Sequence, residues 1–442
     1  MPRHLPRPVL LLLAAAVIGA MDGWAVPWGD KTPAIVVLGG ATSVAVLALV
    51  RRRSRFDSAA VVRWTTAATF VLFAVVQSQR NVTWFDTNNL YSIAHALAIA
   101  LPLLALVVVF ASGRFAIWAW GGALVVFGAA SVVEIQANHR PWIDVWYMLT
   151  HASHCVEQMC NPYTMSTPDS GGVTYGITYL PGSFLFLTPF HAGYGDVRYG
   201  LVIALLAAAL LLPLLIKGRH GLIASCLVLT VPGTLLGLQM SWVEPLLLVF
   251  ILLALVGMKR NKPVLVVAAL AAAFATKQHM LLLAPLAVLV FGWRKTALGG
   301  GVAAVVAMPW FLASPTAFFD DTVKYFFDLG PRGDALSVWA MTPPGIRPLL
   351  PAVVVLLMYA VIWRWLPRSA AGFLVGSGLV LAGFEFVNKV SFYNEWALPA
   401  MLLLAGAMAT AADMAHQPAK RGRHALPKVL HEQTIQTTAA GA

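Results

Sequence analysis

The chain has 442 residues, of which 59% are hydrophobic and 11% charged, with a mean hydropathy of +0.77. Soluble domains carry roughly 25% charged residues, so the composition excludes a water-soluble globular protein and predicts lipid as the main solvent. The net charge of +12 would suit nucleic acid, but it falls in short loops between apolar runs. Nucleic acid is therefore not expected as a partner.

The apolar runs predict an all-α, polytopic transmembrane bundle of about 12–14 spans. The segments of suitable length are 8–27, 33–50, 60–77, 91–111, 115–135, 198–216, 221–240, 242–258, 263–276, 279–293, 296–313, 349–366, 370–387 and 396–413. The short segments 263–276 and 279–293 could instead form a shallow re-entrant pair. Twelve crossings would then remain, with every other loop on the same side.

Charge alternates between the connecting segments. With the N-terminus inside, the cytoplasmic segments hold 21 of the 30 Lys and Arg residues. The positive-inside rule therefore places both termini in the cytoplasm, in what we expect to be a bacterial plasma membrane. The first apolar run resembles a signal peptide, but the downstream topology favours a retained first helix.

Polar residues gather on the opposite, extracytoplasmic face. Two loops there, 136–197 and 314–348, are far longer than their neighbours, and long loops in compact architectures are usually functional. Shorter polar clusters lie at 239–244, 276–279 and 388–395. The sequence therefore predicts that the working face points away from the cytoplasm.

The first long loop is predicted to open with an interfacial helix from Pro141, because proline is tolerated in a first turn and aromatic residues follow. Helical spacing places Asp144, Tyr147, His151 and Cys155 on one face. An acid at the lip of a membrane helix is costly to desolvate and is usually functional. The alternative is that Asp144 only caps this helix or pairs with Arg140.

Three interpretations remain open for the cysteines of this loop. Cys155 and Cys160 could form a disulfide in an oxidising compartment, provided that the helix ends between them. They could remain free thiols, or join His151 and His154 in a metal site, although no standard zinc signature is present. We expect no metal and no cofactor.

Several motifs in order resemble the GT-C superfamily of membrane glycosyltransferases. They are Asp144 past a membrane helix, Asn161-Pro162-Tyr163, Tyr179-Leu180-Pro181, Thr276-Lys277-Gln278-His279, Asp320-Asp321-Thr322-Val323 and Arg332-Gly333-Asp334. More narrowly, they are similar to polyprenyl-phosphate-sugar-dependent mannosyltransferases related to glycosyltransferase family 87. The match covers roughly 130–413. One departure is that the acid follows the fifth predicted helix, whereas many relatives place it after the first or second.

The resemblance implies a division of the chain into an accessory membrane block (1–113), a GT-C-like catalytic core (114–413) and a basic cytoplasmic tail (414–442) that we expect to be disordered. It also implies an inverting enzyme that moves a sugar, with mannose favoured, from a polyprenyl-phosphate donor to a lipid or cell-envelope glycan. Asp144 would be the general base. The donor phosphate would bind Lys277, His279, Arg332 and Lys389. The remaining substrate contacts would come from Tyr147, Asn161, Tyr163, Tyr179, Glu244, Gln278, Asp334, Tyr393 and Asn394.

Each of these residues has a simpler interpretation. Lys277 and His279 could mark a hairpin turn and reach for headgroups, and Arg332 could only pair with Asp334. Glu244 could be a helix-start acid, and 389–395 could be an interfacial belt. Asp320 and Asp321 compete with Asp144 as the base.

Other classes of membrane protein also remain open. A transporter or lipid-linked-oligosaccharide flippase would usually show mid-membrane charges and repeated halves, and a polymerase would use arginines in its outer loops. The enzyme is expected to be a monomer. Its expected partners are membrane lipids, a lipid-linked sugar donor and an acceptor.

Overall fold

The computed structural model describes residues 6–23, 31–51, 57–79, 89–141, 143–165, 176–330 and 335–416. Within these ranges the chain is helical, and no β-strand occurs in them. The helices are α1 (Pro8–Gly23), α2 (Thr32–Val50), α3 (Ala59–Ser78), α4 (Asn89–Phe110), α5 (Gly113–Ala137), α6 (Asp144–Glu157), α7 (Pro181–Tyr194), α8 (Arg198–Leu215), α9 (Arg219–Thr230), α10 (Thr234–Gln239), α11 (Glu244–Lys259), α12 (Pro263–Thr276), α13 (Ala284–Phe291), α14 (Trp293–Ala313), α15 (Pro315–Phe319), α16 (Tyr325–Asp328), α17 (Leu350–Trp365), α18 (Ala370–Val387) and α19 (Tyr393–His416).

Among the described residues, nine helices are long and apolar enough to cross a membrane, namely α2, α3, α4, α5, α8, α14, α17, α18 and α19. Shorter apolar helical stretches add α1, α9, α12 and Gln278–Phe291. This architecture agrees with the predicted all-α, multi-pass class. The count of twelve to fourteen crossings, and the choice between spanning and re-entrant forms of 263–293, stay predictions.

The last two helices form the centre of the bundle. In the most apolar stretch of each helix, 94% of the residues of α19 and 83% of those of α18 are buried, whereas only 6% of those of α17 are. Small residues allow α18 and α19 to approach closely, as is common between membrane helices. A Cβ added at Gly378 would lie 2.7 Å from Leu403 Cγ, and one at Gly406 would lie 2.6 Å from Val375 Cγ2.

The N-terminal helices pack directly onto this centre. α1 lies along α19, and α2 contacts α18. At one contact a Cβ on Gly39 would come within 2.7 Å of the Phe386 ring. The block 1–113 is thus continuous in packing with the rest of the chain, and its accessory role stays a prediction.

The two ends of the bundle differ in charge. At one end the loops join α2 to α3, α8 to α9 and α11 to α12, and they carry basic residues such as Arg51, Lys217, Arg219 and Lys259. At the other end lie the start of α11, the end of α12 and the junction of α18 with α19, which carry Glu244, Lys277 and Glu395. We refer to these as the basic end and the polar end.

Candidate functional site

The polar end contains a buried ionic cluster that joins three helices. Lys277 follows the last residue of α12, and its Nζ lies 2.8 Å from Glu244 Oε1. The same Nζ lies 3.1 Å from both carboxylate oxygens of Glu395, in the first turn of α19. Lys277 is 8% exposed and Glu244 4% exposed. Burial alone would lower the pKa of Lys277, but the two carboxylates outweigh it and hold that pKa well above its ordinary value.

The cluster continues into a second acid and a histidine. One oxygen of Glu385, one oxygen of Glu395 and a ring nitrogen of His279 all lie within 4.8 Å of one another. Glu385 is 2% exposed in the last turn of α18, and it accepts a hydrogen bond of 3.3 Å from Asn388 Nδ2. Together with Glu244, these groups line a small gap that is too narrow for a sugar.

Counted over the residues that the structure describes, this cluster has more carboxylates than cations. Glu244, Glu385 and Glu395 face the single ammonium of Lys277, and buried carboxylates need a partner or a proton. Two arrangements would restore the balance: a proton shared between carboxylates, or a bound cation. The ammonium disfavours a divalent ion, because it lies against Glu395, which would be one of the ligands.

The loops before α7 and after α15 close over the cluster. Gln278 Nε2 donates to the carbonyl oxygens of Thr178 at 2.7 Å and Thr322 at 3.0 Å, so one amide connects both long loops to the end of α12. The hydroxyl of Tyr163 donates to the carbonyl oxygen of Tyr179 at 2.8 Å. These bonds fix Tyr179, whose ring centroid lies 5.8 Å from Lys277 Nζ.

A glycine in the first turn of α7 allows this close approach. A Cβ added at Gly182 would lie 2.7 Å from the carbonyl carbon and oxygen of Ala275 and 3.0 Å from Thr276 N. Only a residue without a side chain lets α7 begin directly against the end of α12. The position of Tyr179 over Lys277 depends on this contact, because Tyr179 precedes α7 by two residues.

Asp144 lies near Tyr179, and Asp321 contacts Gly176 in the same loop; both acids are candidate bases. Asp144 is half-buried and opens α6, and its Oδ1 accepts a hydrogen bond of 2.8 Å from Val145 N. Burial raises the pKa of the Tyr179 hydroxyl above its ordinary value; Lys277 opposes this rise, and the charges of Glu244, Glu395 and Asp144 add to it. The charge of Asp144 therefore acts on the Tyr179 hydroxyl, whose ring lies beside Lys277.

The second candidate base, Asp321, belongs to a π-helical turn at Asp320–Lys324. Its Oδ1 accepts a hydrogen bond of 3.2 Å from Gly176 N, and its Oδ2 has no hydrogen-bond partner among the described residues. Burial raises the pKa of the Asp321 carboxyl to about 6, although backbone N–H groups of Gly176 and Ile177 oppose the rise. A carboxylate that changes protonation near neutral pH suits proton transfer.

The helix predicted after Pro141 is confirmed, although it begins only at Asp144; its interfacial position stays a prediction. α6 spans Asp144–Glu157, and Tyr147 and His151 stack on one face with ring centroids 6.0 Å apart. Asn161 caps the short 3₁₀ turn Pro162–Thr164 by accepting from Tyr163 N at 3.2 Å. These residues support the loop through their own neighbours, since Tyr147 stacks on His151 and Asn161 caps the 3₁₀ turn.

Lys389 lies apart from the ionic cluster. Its ammonium donates to the carbonyl oxygens of Phe327 at 3.0 Å and Leu329 at 2.7 Å, so it fastens the end of α16. Asn394 does reach the cluster, with Nδ2 at 3.4 Å from Glu395 Oε1. Predictions for Arg332, Asp334 and the side chain of Tyr393 fall outside the described residues, as do those for the tail beyond His416.

The simpler interpretation of Lys277 as a cation that reaches for headgroups is wrong, whereas that of Glu244 as a helix-start acid is confirmed. Lys277 is buried against carboxylates, so it does not reach for headgroups. Glu244 is a helix-start acid, as its position suggested, but its carboxylate also holds Lys277 from another helix. The sequence position of Glu244 predicted the helix start, but its contact with Lys277 depends on how the helices pack.

Two buried residues of this end were not among the predicted site residues. The signal that could have identified Glu385 is that it is the one charged residue of the apolar helix α18. Arg198 is fully buried at the start of α8. It donates to the carboxylate of Asp196 and to the carbonyl oxygen of Asn138 at 2.8 Å, which ties the start of α8 to the end of α5.

Cys155 and Cys160 are joined by a disulfide, with their Cα atoms 5.0 Å apart. The helix ends between them, at Glu157, as a disulfide between residues five apart requires. Of the three interpretations of these cysteines, the structure therefore selects the disulfide.

No family model, no curated protein and no solved structure matches this chain. The chemistry of the polar end is therefore inferred from its own residues. Among the described residues of that end, Glu244 and Asp321 each have a carboxylate oxygen without a hydrogen-bond partner, and Asp144, like Glu244, stands at a helix start.

Proposed function

We propose that this protein is a GT-C-like membrane glycosyltransferase that transfers a sugar, with mannose favoured, from a polyprenyl-phosphate donor to a lipid or cell-envelope glycan. One observation carries the proposal. Both long loops and all three short polar segments, distant in sequence, supply residues that meet around Tyr179 and Lys277 at the polar end. A site built from loops on a helical scaffold, at the membrane surface, suits a substrate whose lipid tail stays in the bilayer.

The reaction needs one base. A sugar phosphate ester already has a good leaving group, so the enzyme must deprotonate the acceptor hydroxyl and direct it at the anomeric carbon. Asp144 is the assigned base on the strength of the family resemblance. Asp321 is its rival because its Oδ2 is unpaired among the described residues and its pKa is raised to about 6 by burial. A single base implies inversion at the anomeric carbon.

The donor phosphate needs cations at the same end. Lys277 has its ammonium occupied by Glu244 and Glu395, so it would bind phosphate only by exchanging a carboxylate for it. Lys389 donates to two backbone carbonyls and keeps one N–H for a ligand. Arg332 completes the proposed set, and His279 contributes a neutral ring beside Glu385 and Glu395.

The proposed orientation follows from the charge difference between the two ends. The basic end faces the cytoplasm by the positive-inside rule, and the polar end faces outward from a bacterial plasma membrane. The Cys155–Cys160 disulfide supports this direction, because such bonds persist in oxidising compartments.

Transfer from radiolabelled polyprenyl-phosphate mannose, with purified protein in nanodiscs and a lipid-linked glycan acceptor, tests the proposal. Asp144→Asn should lower kcat by about 100- to 10,000-fold, the range for loss of a general base, while Asp321→Asn changes it little. The reverse pattern would move the base to Asp321. Asp328→Asn is the matched control, since Asp328 is an exposed acid of the same loop that pairs with Lys324. Absence of transfer from any polyprenyl-phosphate sugar would refute the assignment of this protein as a glycosyltransferase of this class.

A second test addresses the phosphate site. Arg332→Ala should raise the donor KM by about 10- to 100-fold, the value of a hydrogen bond to a charged group, and leave the acceptor KM unchanged. Arg347→Ala serves as the control, because Arg347 donates within its own loop to the carbonyl oxygens of Thr342 and Ala340. Equal effects of the two changes would contradict the assignment of Arg332.

The alternative is a transporter or a flippase for a lipid-linked oligosaccharide. The buried group of Glu244, Glu385, Glu395 and Lys277 favours it, since ionisable residues inside membrane bundles often carry ions or protons. All four lie in terminal turns or directly beyond a helix end rather than in the middle of a helix, which supports the enzyme over the transporter. Movement of labelled lipid-linked sugar across proteoliposomes, with no chemical transfer, would establish this alternative.

A further inference from the structure

The C-terminal turns of α6 and α7 bring together three potential metal ligands, away from the ionic cluster. His154 and Glu157 lie three residues apart on α6, and His191 comes from α7. Glu157 Oε1 is 2.6 Å from His191 Nδ1, and Glu157 Oε2 is 3.6 Å from His154 Nδ1. One ligand atom from each residue lies within 4.8 Å of the other two.

These separations are close to those of a bound metal. Zinc binds histidine nitrogen at about 2.0–2.1 Å and carboxylate oxygen at about 2.0–2.2 Å in a tetrahedron, which sets neighbouring ligand atoms about 3.4 Å apart. The carboxylate already lies between the two imidazoles, so small rotations of the side chains would centre an ion. Residues three apart on a helix share a face, which explains why His154 and Glu157 point toward the same helix.

The surroundings of the three residues also suit an ion. The amide of Gln158 lies 2.9 Å from His154 Nε2. With its oxygen in that position, it would accept the Nε2–H and leave Nδ1 free to bind, and such outer partners are usual for metal-bound histidine. The side chain of His154 is 53% exposed and that of Glu157 is 27% exposed, so water can reach a fourth position. The adjacent thiols are closed in the Cys155–Cys160 disulfide and do not compete as ligands.

We propose that His154, Glu157 and His191 bind one divalent transition-metal ion of the zinc class, with water as the fourth ligand. Two imidazoles and one carboxylate suit zinc, copper or nickel and are a poor set for calcium or magnesium. The ion clamps the end of α6 to the end of α7. Asp144 opens α6 and Tyr179 precedes α7, so the clamp fixes the two helices that border the ionic cluster. This site does not depend on the glycosyltransferase assignment.

Metal binding to the purified full-length protein tests the site directly. After removal of metal with a chelator and dialysis, titration with Zn²⁺ should give one ion per chain by calorimetry and by elemental analysis. Zn²⁺ should also raise the thermal unfolding temperature in a concentration-dependent way, because the ion binds only the folded arrangement. Co²⁺ should give the visible absorption of a four-coordinate site.

Single substitutions locate the ion. His191→Ala and Glu157→Gln should each weaken Zn²⁺ binding by at least about 100-fold, more than the loss of an outer partner. Glu157→Gln keeps the size of the side chain, so it remains informative if His191→Ala folds poorly. The control is His151→Ala, since His151 bonds to the carbonyl oxygen of Tyr147 in its own helix and lies outside the trio; it should bind like the wild type. Absence of stoichiometric binding, or equal binding by all variants, would show that the trio is only a hydrogen-bonded group.

Discussion

The basic end and the polar end use their cations in different ways. At the basic end, the ammonium of Lys259 donates to the carbonyl oxygens of Leu214 and Leu215 at 2.8 Å, and Arg219 donates to the carbonyl oxygen of Val109 at 3.0 Å. These carbonyls belong to the last turns of α8 and α4, where a helix leaves its acceptors without partners. Such cations cap helices.

At the polar end, the cation joins side chains rather than backbones. Lys277 binds carboxylates from α11 and α19 and is buried beneath Tyr179. Lys259 and Lys277 have similar positions at helix ends, since Lys259 is the last residue of α11 and Lys277 directly follows α12. The two lysines differ in burial and in their partners, because Lys259 is exposed and bonds to backbone carbonyls, whereas Lys277 is buried and bonds to carboxylates. A charged side chain at a helix end therefore stabilises only that helix end when it is exposed. When it is buried against opposite charges, it cross-links the helices of the bundle.

The largest expected difference follows from removing each lysine. Lys277→Met leaves Glu244 and Glu395 buried without their cation, which should cost about 3–5 kcal/mol of unfolding free energy. Lys259→Met removes only exposed caps and should cost less than about 1 kcal/mol. Unfolding by SDS in mixed micelles measures both. Equal losses would show that the buried cluster contributes no more than a cap.

A double-mutant cycle sharpens this result. Glu395→Gln combined with Lys277→Met should cost less than the sum of the two single changes, because the second substitution removes a group that the first has left unpaired. Additive losses would indicate that the two side chains act independently, despite the 3.1 Å separation between Lys277 Nζ and the oxygens of Glu395.

A smaller effect is expected from the glycine that brings α7 against the polar end. Gly182→Ala places a methyl group 2.7 Å from the Ala275 backbone, and overpacking of this kind costs about 1–3 kcal/mol. The matched control is Gly193→Ala in the same helix, where a Cβ meets nothing within 4 Å. That change should be neutral or stabilise the helix by about 0.5–1 kcal/mol. The SDS unfolding assay compares them, and an equally tolerated Gly182→Ala would contradict the close approach.

The sequence predicted the helical class well, because it depends on local patterns, but the predicted span 221–240 is divided into α9 and α10. Apolar runs set the membrane helices, and α6 was predicted from Pro141 and its aromatic residues. Glu244 and Lys277 were correctly placed at helix ends for the same reason. Local patterns left the disulfide as one of three possibilities, and the end of α6 between the two cysteines is a finding of the structure.

The partners of those residues could not be predicted from the sequence. Lys277 and Glu395 are 118 residues apart, and only the packing order of α11, α12, α18 and α19 brings them together. Lys389 looked equivalent to Lys277 as a rare cation of the outer loops, yet it fastens the backbone of α16. A single sequence gives the type of a side chain and its place on a helix, but not the neighbouring helix.

The last comparison concerns two acids of one loop, buried Asp321 and exposed Asp328. Burial raises the pKa of Asp321 from its ordinary value of 3.8 to about 6, so between those values the folded protein binds a proton that the unfolded chain has released. The unfolding free energy should therefore be highest below about pH 4 from this group and should fall as the pH rises through about 6. Asp321→Asn should flatten the stability profile over this window, whereas Asp328→Asn should leave its slope as in the wild type. Stability profiles from SDS unfolding at a series of pH values would test this, and an unchanged slope in Asp321→Asn would mean that this carboxyl is as well solvated in the folded state as in the unfolded chain.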